Sequence, residues 1–214
     1  MAHAKLALGL LLTGVSLSTW GAELTLKVST QEGALLEDAV VALLPTQPPE
    51  YQGQPEAIMD QRDRQFAPHV LAVRKNTRVR FPNSDDIRHH VYSFSPAKTF
   101  ELRLYHGMAA DPVVFDKPGR VVLGCNIHDA MLGYIYVLDT PWFGVTGSDG
   151  RVKVRDIPAG DYRLEVQHPR QIEPLTESFQ LGSEQQLNLH WRMGPLKADP
   201  RQQEPESELE RLFD

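Results

Sequence analysis

Leu123-Gly124-Cys125-Asn126-Ile127-His128-Asp129-Ala130-Met131-Leu132-Gly133 puts a thiol, an imidazole and a thioether into one short loop. The apolar run Val121-Val122-Leu123 leads into it, and Gly133-Tyr134-Ile135-Tyr136-Val137 leads out. Short runs of β-branched and aromatic residues bounded by turn formers read as strands. The loop therefore joins two strand ends, where a tight connection can aim several side chains at one point. Farther upstream, Asn83-Ser84-Asp85-Asp86-Ile87-Arg88-His89-His90-Val91 brings a further imidazole into the start of another strand.

Working outward from this loop, strands are expected almost everywhere. Leu24, Leu26 and Val28 alternate with polar neighbours, Gly33 turns the chain, and Ala39 to Leu44 is a second apolar run. Val70-Leu71-Ala72-Val73, Val79-Arg80-Phe81, Val91-Tyr92-Ser93-Phe94 and Val113-Val114-Phe115 follow, separated by Lys75-Asn76, Pro82-Asn83 and Lys117-Pro118-Gly119. Later runs are Val152 and Val154, then Tyr162, Leu164 and Val166, then Leu187, Leu189 and Trp191, with Asp149-Gly150 as a hairpin turn signal. The 16 prolines and 15 glycines spread along the 214 residues agree with many short strands rather than a helical bundle. The expected fold class is all-β.

Composition narrows the chemistry. Apolar residues at 41% and charged residues at 23% support a sizeable core. A net charge of -6 argues against a nucleic-acid binder, which needs a basic face. The single cysteine excludes a disulfide framework, a cysteine-only metal site and a dicopper centre bridged by two thiolates. Residues 1–22 read as a secretory signal: Lys5, an apolar stretch from Leu6 to Leu17, small residues, and the first acid at Glu23. That apolar stretch is too short to span a bilayer, and no membrane span is expected in the mature chain. An exported protein that keeps one unpaired thiol usually has a use for it.

Two imidazoles, a thiolate and a weak thioether are the donor set of a mononuclear electron-transfer copper site. Soft sulfur favours the cuprous ion, and imidazole accommodates the cupric ion. Taken singly, each residue has a blander reading. A lone cysteine is more often a small buried hydrophobe, a lone histidine more often surface or hydrogen-bonded core, and Met131 could fill a gap. The spacing Cys125-x-x-His128-x-x-Met131 between two strands reverses those odds. A Cys125–His128 nucleophile and base lacks a glycine-rich oxyanion loop, and zinc rarely takes a thioether.

Residues 58–138 resemble a cupredoxin, the small blue-copper fold of plastocyanin, amicyanin and pseudoazurin. Val113 through Gly119, followed by Val121-Val122-Leu123-Gly124-Cys125, is similar to that family's strand into the ligand cysteine. Asn83, Asp85, His89 and Val91 fit its Asn-x-Asp … His-x-Val pattern, with Arg88 where many members have proline. The resemblance implies one type 1 copper per chain held by His89, Cys125, His128 and Met131. His90 competes with His89, because it keeps Phe94 in a register some members use. Asn83 and Asn126 are candidates for outer hydrogen bonds, or simple turn formers. The flanks resemble a transthyretin-type, carboxypeptidase-regulatory-like β-sandwich, on Val28–Gly33, Ala39–Leu43, Asp149-x-x-Val152 and Pro158-x-Gly160-x-Tyr162-x-Leu164.

The expected organisation is a sandwich of residues 23–48 and 140–193, a cupredoxin Greek-key sandwich of residues 55–139 inserted into it, and a charged, disordered tail at 194–214. The whole is similar to periplasmic methylamine-utilization-like proteins. What these resemblances imply is a periplasmic, non-enzymatic carrier of single electrons whose partner is a redox protein such as a cytochrome or a dehydrogenase. The competing expectations are copper delivery or storage, a copper enzyme, and a structural module. The scattered His3, His69, His106, His168 and His190 offer no second metal pair.

Overall fold

The computed structural model describes residues 21–47, 50, 53–108, 111–128, 130–171, 174–182 and 186–199. Most of the segment read as a secretory signal and the acidic end of the tail lie outside the described residues. All described regular elements are strands, so the chain is all-β, as the alternating patterns require. Among the described residues no helix is long and apolar enough to cross a membrane.

The strand Ala22–Thr30 turns Leu24, Leu26 and Val28 inward, where all three are fully buried. It pairs antiparallel with Arg151–Ile157 and parallel with Gln186–Met193. A second sheet, in the order Phe143–Val145, Val40–Pro45, Gly160–Gln167, Leu175–Leu181, faces it. Val41, Leu43, Tyr162, Leu164 and Val166 close the core between them. Each fully buried aliphatic or aromatic side chain contributes about 1.5–3 kcal/mol relative to exposure. The turn at Asp149-Gly150 forms, with Gly150 at a φ of 65°, but the strands beside it do not make a hairpin. Phe143–Val145 joins one sheet and Arg151–Ile157 the other. The reason lies in Gly150 itself: a Cβ there would stand 2.6 Å from the carbonyl of Val28, so the turn is packed under the first sheet.

Residues from Glu56 to Leu138 build a second set of sheets around their own core. Gly119–Leu123 pairs antiparallel with Gly133–Leu138, which pairs parallel with Val70–Arg74. Thr77–Arg80 lies between Glu56–Ile58 and Val113–Phe115. His89–Ser95 pairs with Lys98–Tyr105 and touches Gly124 through a bridge at Tyr92. Met59, Phe66, Phe81, Val91, Phe115, Leu123 and Ile135 fill the interior, together with Cys125 and Met131.

A third cluster joins these two cores. The strand Val40–Pro45 is buried on both faces: Val41 and Leu43 point into the first core. Val40 and Ala42 point the other way and meet Val70, Tyr134, Tyr136 and Leu138. Arg120 adds a polar tie across the same junction, donating from Nη1 to the carbonyl of Gln171 at 2.9 Å. The start of the segment read as tail also packs. Leu196 lies against the first core, and Lys197 donates its backbone N–H to Arg170.

Candidate metal centre

Strand alternation decides which histidine of the adjacent pair faces inward. In His89–Ser95, the residues His89, Val91 and Ser93 are fully buried on one face. His90, Tyr92 and Phe94 share the opposite face, their rings tilted against one another with centroids 5.7 and 5.2 Å apart. His90 directs its Nε2 to Glu101 at 2.9 Å, on the side facing away from the centre. Successive side chains of a strand cannot share a face.

The centre itself gathers three donors. Cys125 leaves the strand Gly119–Leu123 one residue past Gly124, whose backbone exchanges hydrogen bonds with Tyr92 at 3.0 and 3.1 Å. A Cβ on Gly124 would come within 2.6 Å of the Tyr92 ring, so any side chain there would have to displace that ring. The Cys125 Sγ lies 3.8 Å from His89 Nδ1 and 4.0 Å from His128 Nδ1. All three donor atoms fall within 4.8 Å of one another. Cys125 is 4% exposed, and His128 is half-buried at the rim. Met131 closes the turn by donating its N–H to the carbonyl of His128 at 3.0 Å, and its side chain is fully buried in the core that holds Cys125.

The donors suit a single ion. Metal–nitrogen and metal–sulfur bonds run about 2.0–2.3 Å, so two of them span about 4 Å. The set is soft sulfur plus imidazole, which suits copper better than a hard cation. His128 is held below the ordinary imidazole value of 6.5, first by burial and then by the positive potential of His89 and Arg64. It is thereby kept neutral, the form that ligates metal.

A polar layer beneath the centre fixes His89. Its Nε2 lies 2.7 Å from Asp85 Oδ2. A carboxylate can only accept, so Nε2 is the donor, and Nδ1 is the ring nitrogen on the side of the Cys125 sulfur. Burial works against the charged form of Asp85. Hydrogen bonds from the Arg64 backbone, the His89 ring and the Asp63 backbone outweigh it and hold this carboxyl below the usual value. Asn83 ties the loop from inside, donating from Nδ2 to the carbonyls of Ile87 and Tyr105 at 2.8 and 3.0 Å and accepting from Asp85 N–H at 3.0 Å. Gln61, fully buried, bonds to the carbonyl of Pro82 at 3.0 Å and to the Tyr105 hydroxyl. Tyr105 donates in turn to the Phe81 carbonyl at 2.7 Å, and burial pushes its phenol up to about 12. Asn126, by contrast, stands exposed at the turn.

Sequence reasoning named Asn83 but missed Gln61 and Tyr105, which sit in separate runs with no motif linking them. It also missed the turn at Asp63-Arg64, because both residues adopt left-handed backbone, φ 54° and 59°, without the glycine that usually signals it.

No family model matches this chain, and no curated protein matches it. Solved structures do resemble part of it. A Cu-containing nitrite reductase from Thermus scotoductus SA-01 is 25% identical over 43% of this chain and 25% of its own, with a TM-score of 0.37. The chain thus spans a quarter of that enzyme's length. The reduced Cu(I) form of an amicyanin mutant is 16% identical over 46% of this chain and 98% of its own, with a TM-score of 0.35. A purple cupredoxin from Nitrosopumilus maritimus is 19% identical over 40% of this chain and 100% of its own, with a TM-score of 0.34. The chain is thus an all-β protein whose solved structural neighbours are cupredoxins and a copper enzyme, each matching less than half of it.

Proposed function

We propose that this chain is an exported type 1 copper protein that passes single electrons between redox proteins. The observation that supports this most is the convergence of the Cys125 sulfur with the Nδ1 atoms of His89 and His128, at 3.8 and 4.0 Å, from one loop and the start of a separate strand. When bound, copper supplies a one-electron couple that soft sulfur and imidazole stabilise in both oxidation states. Cys125 would provide the thiolate, His89 and His128 the two imidazoles, and Met131 a weak thioether. The β framework fixes these donors beforehand, which lowers the rearrangement on electron transfer.

His128 is the ligand nearest the surface, and apolar residues of its own loop stand on either side of it in the chain. Ile127 is 48% exposed, Ala130 is exposed and Leu132 is half-buried. A small apolar rim of this kind suits the brief encounters of redox partners, whose interfaces are typically small. A cytochrome or a dehydrogenase fits that role. The proposed function is carriage rather than catalysis, in the periplasm, a location supported by the secretory-signal pattern of residues 1–22.

Metal analysis and a visible spectrum of the purified protein test this reading. One copper per chain and an intense blue thiolate-to-copper band are expected, both lost in Cys125→Ser. Leu132→Glu should slow electron exchange while leaving the band in place. Rapid copper transfer to an apo acceptor, with sluggish redox cycling, would overturn the carrier role in favour of delivery.

A further inference from the structure

The carboxylate of Asp85 accepts three hydrogen bonds, and only one comes from the centre. His89 Nε2 lies 2.7 Å from Oδ2; Asp63 N–H donates to Oδ1 at 2.7 Å and Arg64 N–H to Oδ2 at 3.0 Å. Asp63 and Arg64 are the tip of the hairpin formed by Asp60–Arg62 and Gln65–Ala67. Both hold left-handed φ values of 54° and 59°, a conformation that non-glycine residues adopt at a cost. That conformation points two successive backbone N–H groups the same way, a small cradle for an anion. Asp85 fills the cradle and presents its remaining basicity to His89.

We infer that the Asp63-Arg64 hairpin tip is a positioning element for the metal centre, acting through Asp85 on the orientation and basicity of His89. The redox consequence rests on the reading of the centre as a copper site; the structural linkage does not. An imidazole that donates to a carboxylate is a stronger electron donor through its other nitrogen. It therefore favours the more highly charged state of a bound metal, which lowers the reduction potential. The backbone cradle matters because it anchors the carboxylate from outside the ligand loop. Without it, the His89 ring alone would hold the Asp85 carboxylate.

Asp85→Asn is the decisive change. An amide has one acceptor oxygen and a donor face, so it cannot accept all three hydrogen bonds: its NH2 must replace either the oxygen that takes Asp63 N–H or the one that takes Arg64 N–H and His89 Nε2. In the apo protein, amide exchange at Asp63 or Arg64, whichever faces the new NH2 group, should quicken at least tenfold, and nitrogen NMR of the wild-type His89 ring should find the proton on Nε2. In the copper-loaded protein the potential should rise by about 59 mV or more, a tenfold shift of a one-electron equilibrium. Asp86→Asn, which removes an equal charge from an exposed neighbour, should leave the potential unchanged. Equal shifts in the two variants, unchanged exchange at the turn, or a proton on Nδ1 would each overturn the inference. A protein without a blue band would defeat the copper reading, while the apo measurements would still decide this one.

Discussion

A glycine at position 89 would remove the imidazole whose Nδ1 faces the Cys125 sulfur and leave a small opening behind it. His89→Gly should therefore abolish the blue band, and added imidazole should restore it. His90→Gly should keep the band unaided, because the His90 ring is engaged with Glu101 on the far face. If added imidazole instead rescues a colourless His90→Gly, the strand register is wrong. Met131→Ala should cost about 2–5 kcal/mol in denaturant unfolding of the apo protein, since the side chain is fully buried. His128 gives a pH dependence whose sign follows from its lowered value. Between the folded and ordinary values the unfolded chain binds more protons, so apo stability falls as pH drops below about 6.5. His128→Gln should flatten that slope relative to wild type in paired melts. At this scale the sequence was informative about the loop donors, because Cys125, His128 and Met131 are close in the chain. It could not choose between His89 and His90 from the residues alone, since alternation fixes a parity only when one face is already known.

Elements place these residues through close backbone approaches. Gly133 opens the strand that follows the ligand loop, and a Cβ there would stand 2.7 Å from Phe66 Cβ. Phe66 is itself buried, so it has nowhere to move. Gly133→Ala is expected to destabilise the protein by about 1–3 kcal/mol, an overpacking cost that denaturant melts would read directly. A neutral outcome would mean that the loop end is looser than its packing implies. Strand positions were legible because apolar alternation survives in most runs, from Leu24-x-Leu26-x-Val28 to Tyr162-x-Leu164-x-Val166. Pairing was less so. Asp149-Gly150 makes the turn its sequence announces, yet its flanking strands diverge into different sheets because the glycine fits beneath Val28. Asp63-Arg64 makes a tight hairpin that no glycine announces, since the Asp85 carboxylate supplies from afar what a glycine would supply locally.

For the whole molecule, the cluster shared by the two cores decides whether they unfold together. Val40 and Ala42 lie in it while Val41 and Leu43 lie in the neighbouring core, so one strand belongs to both. The run Val40-Val41-Ala42-Leu43 announced a strand, but not that its two faces would meet different cores. Ala42→Glu would bury an unpaired carboxylate at the junction. It should split a single calorimetric transition into two, with the blue band lost in only one of them. One unchanged transition would show that the junction does not couple the cores. The pairing of Ala22–Thr30 with Gln186–Met193 has a different consequence, one of timing. The first described strand can complete its sheet only after the last has been synthesised. The strands around the metal centre, from Glu56 to Leu138, are contiguous and need no such wait. During synthesis the three donors can therefore come together while the surrounding sandwich is still an open half. Pulse-labelling of nascent chains halted after residue 140 should already find the amides of Gly119–Leu123 protected.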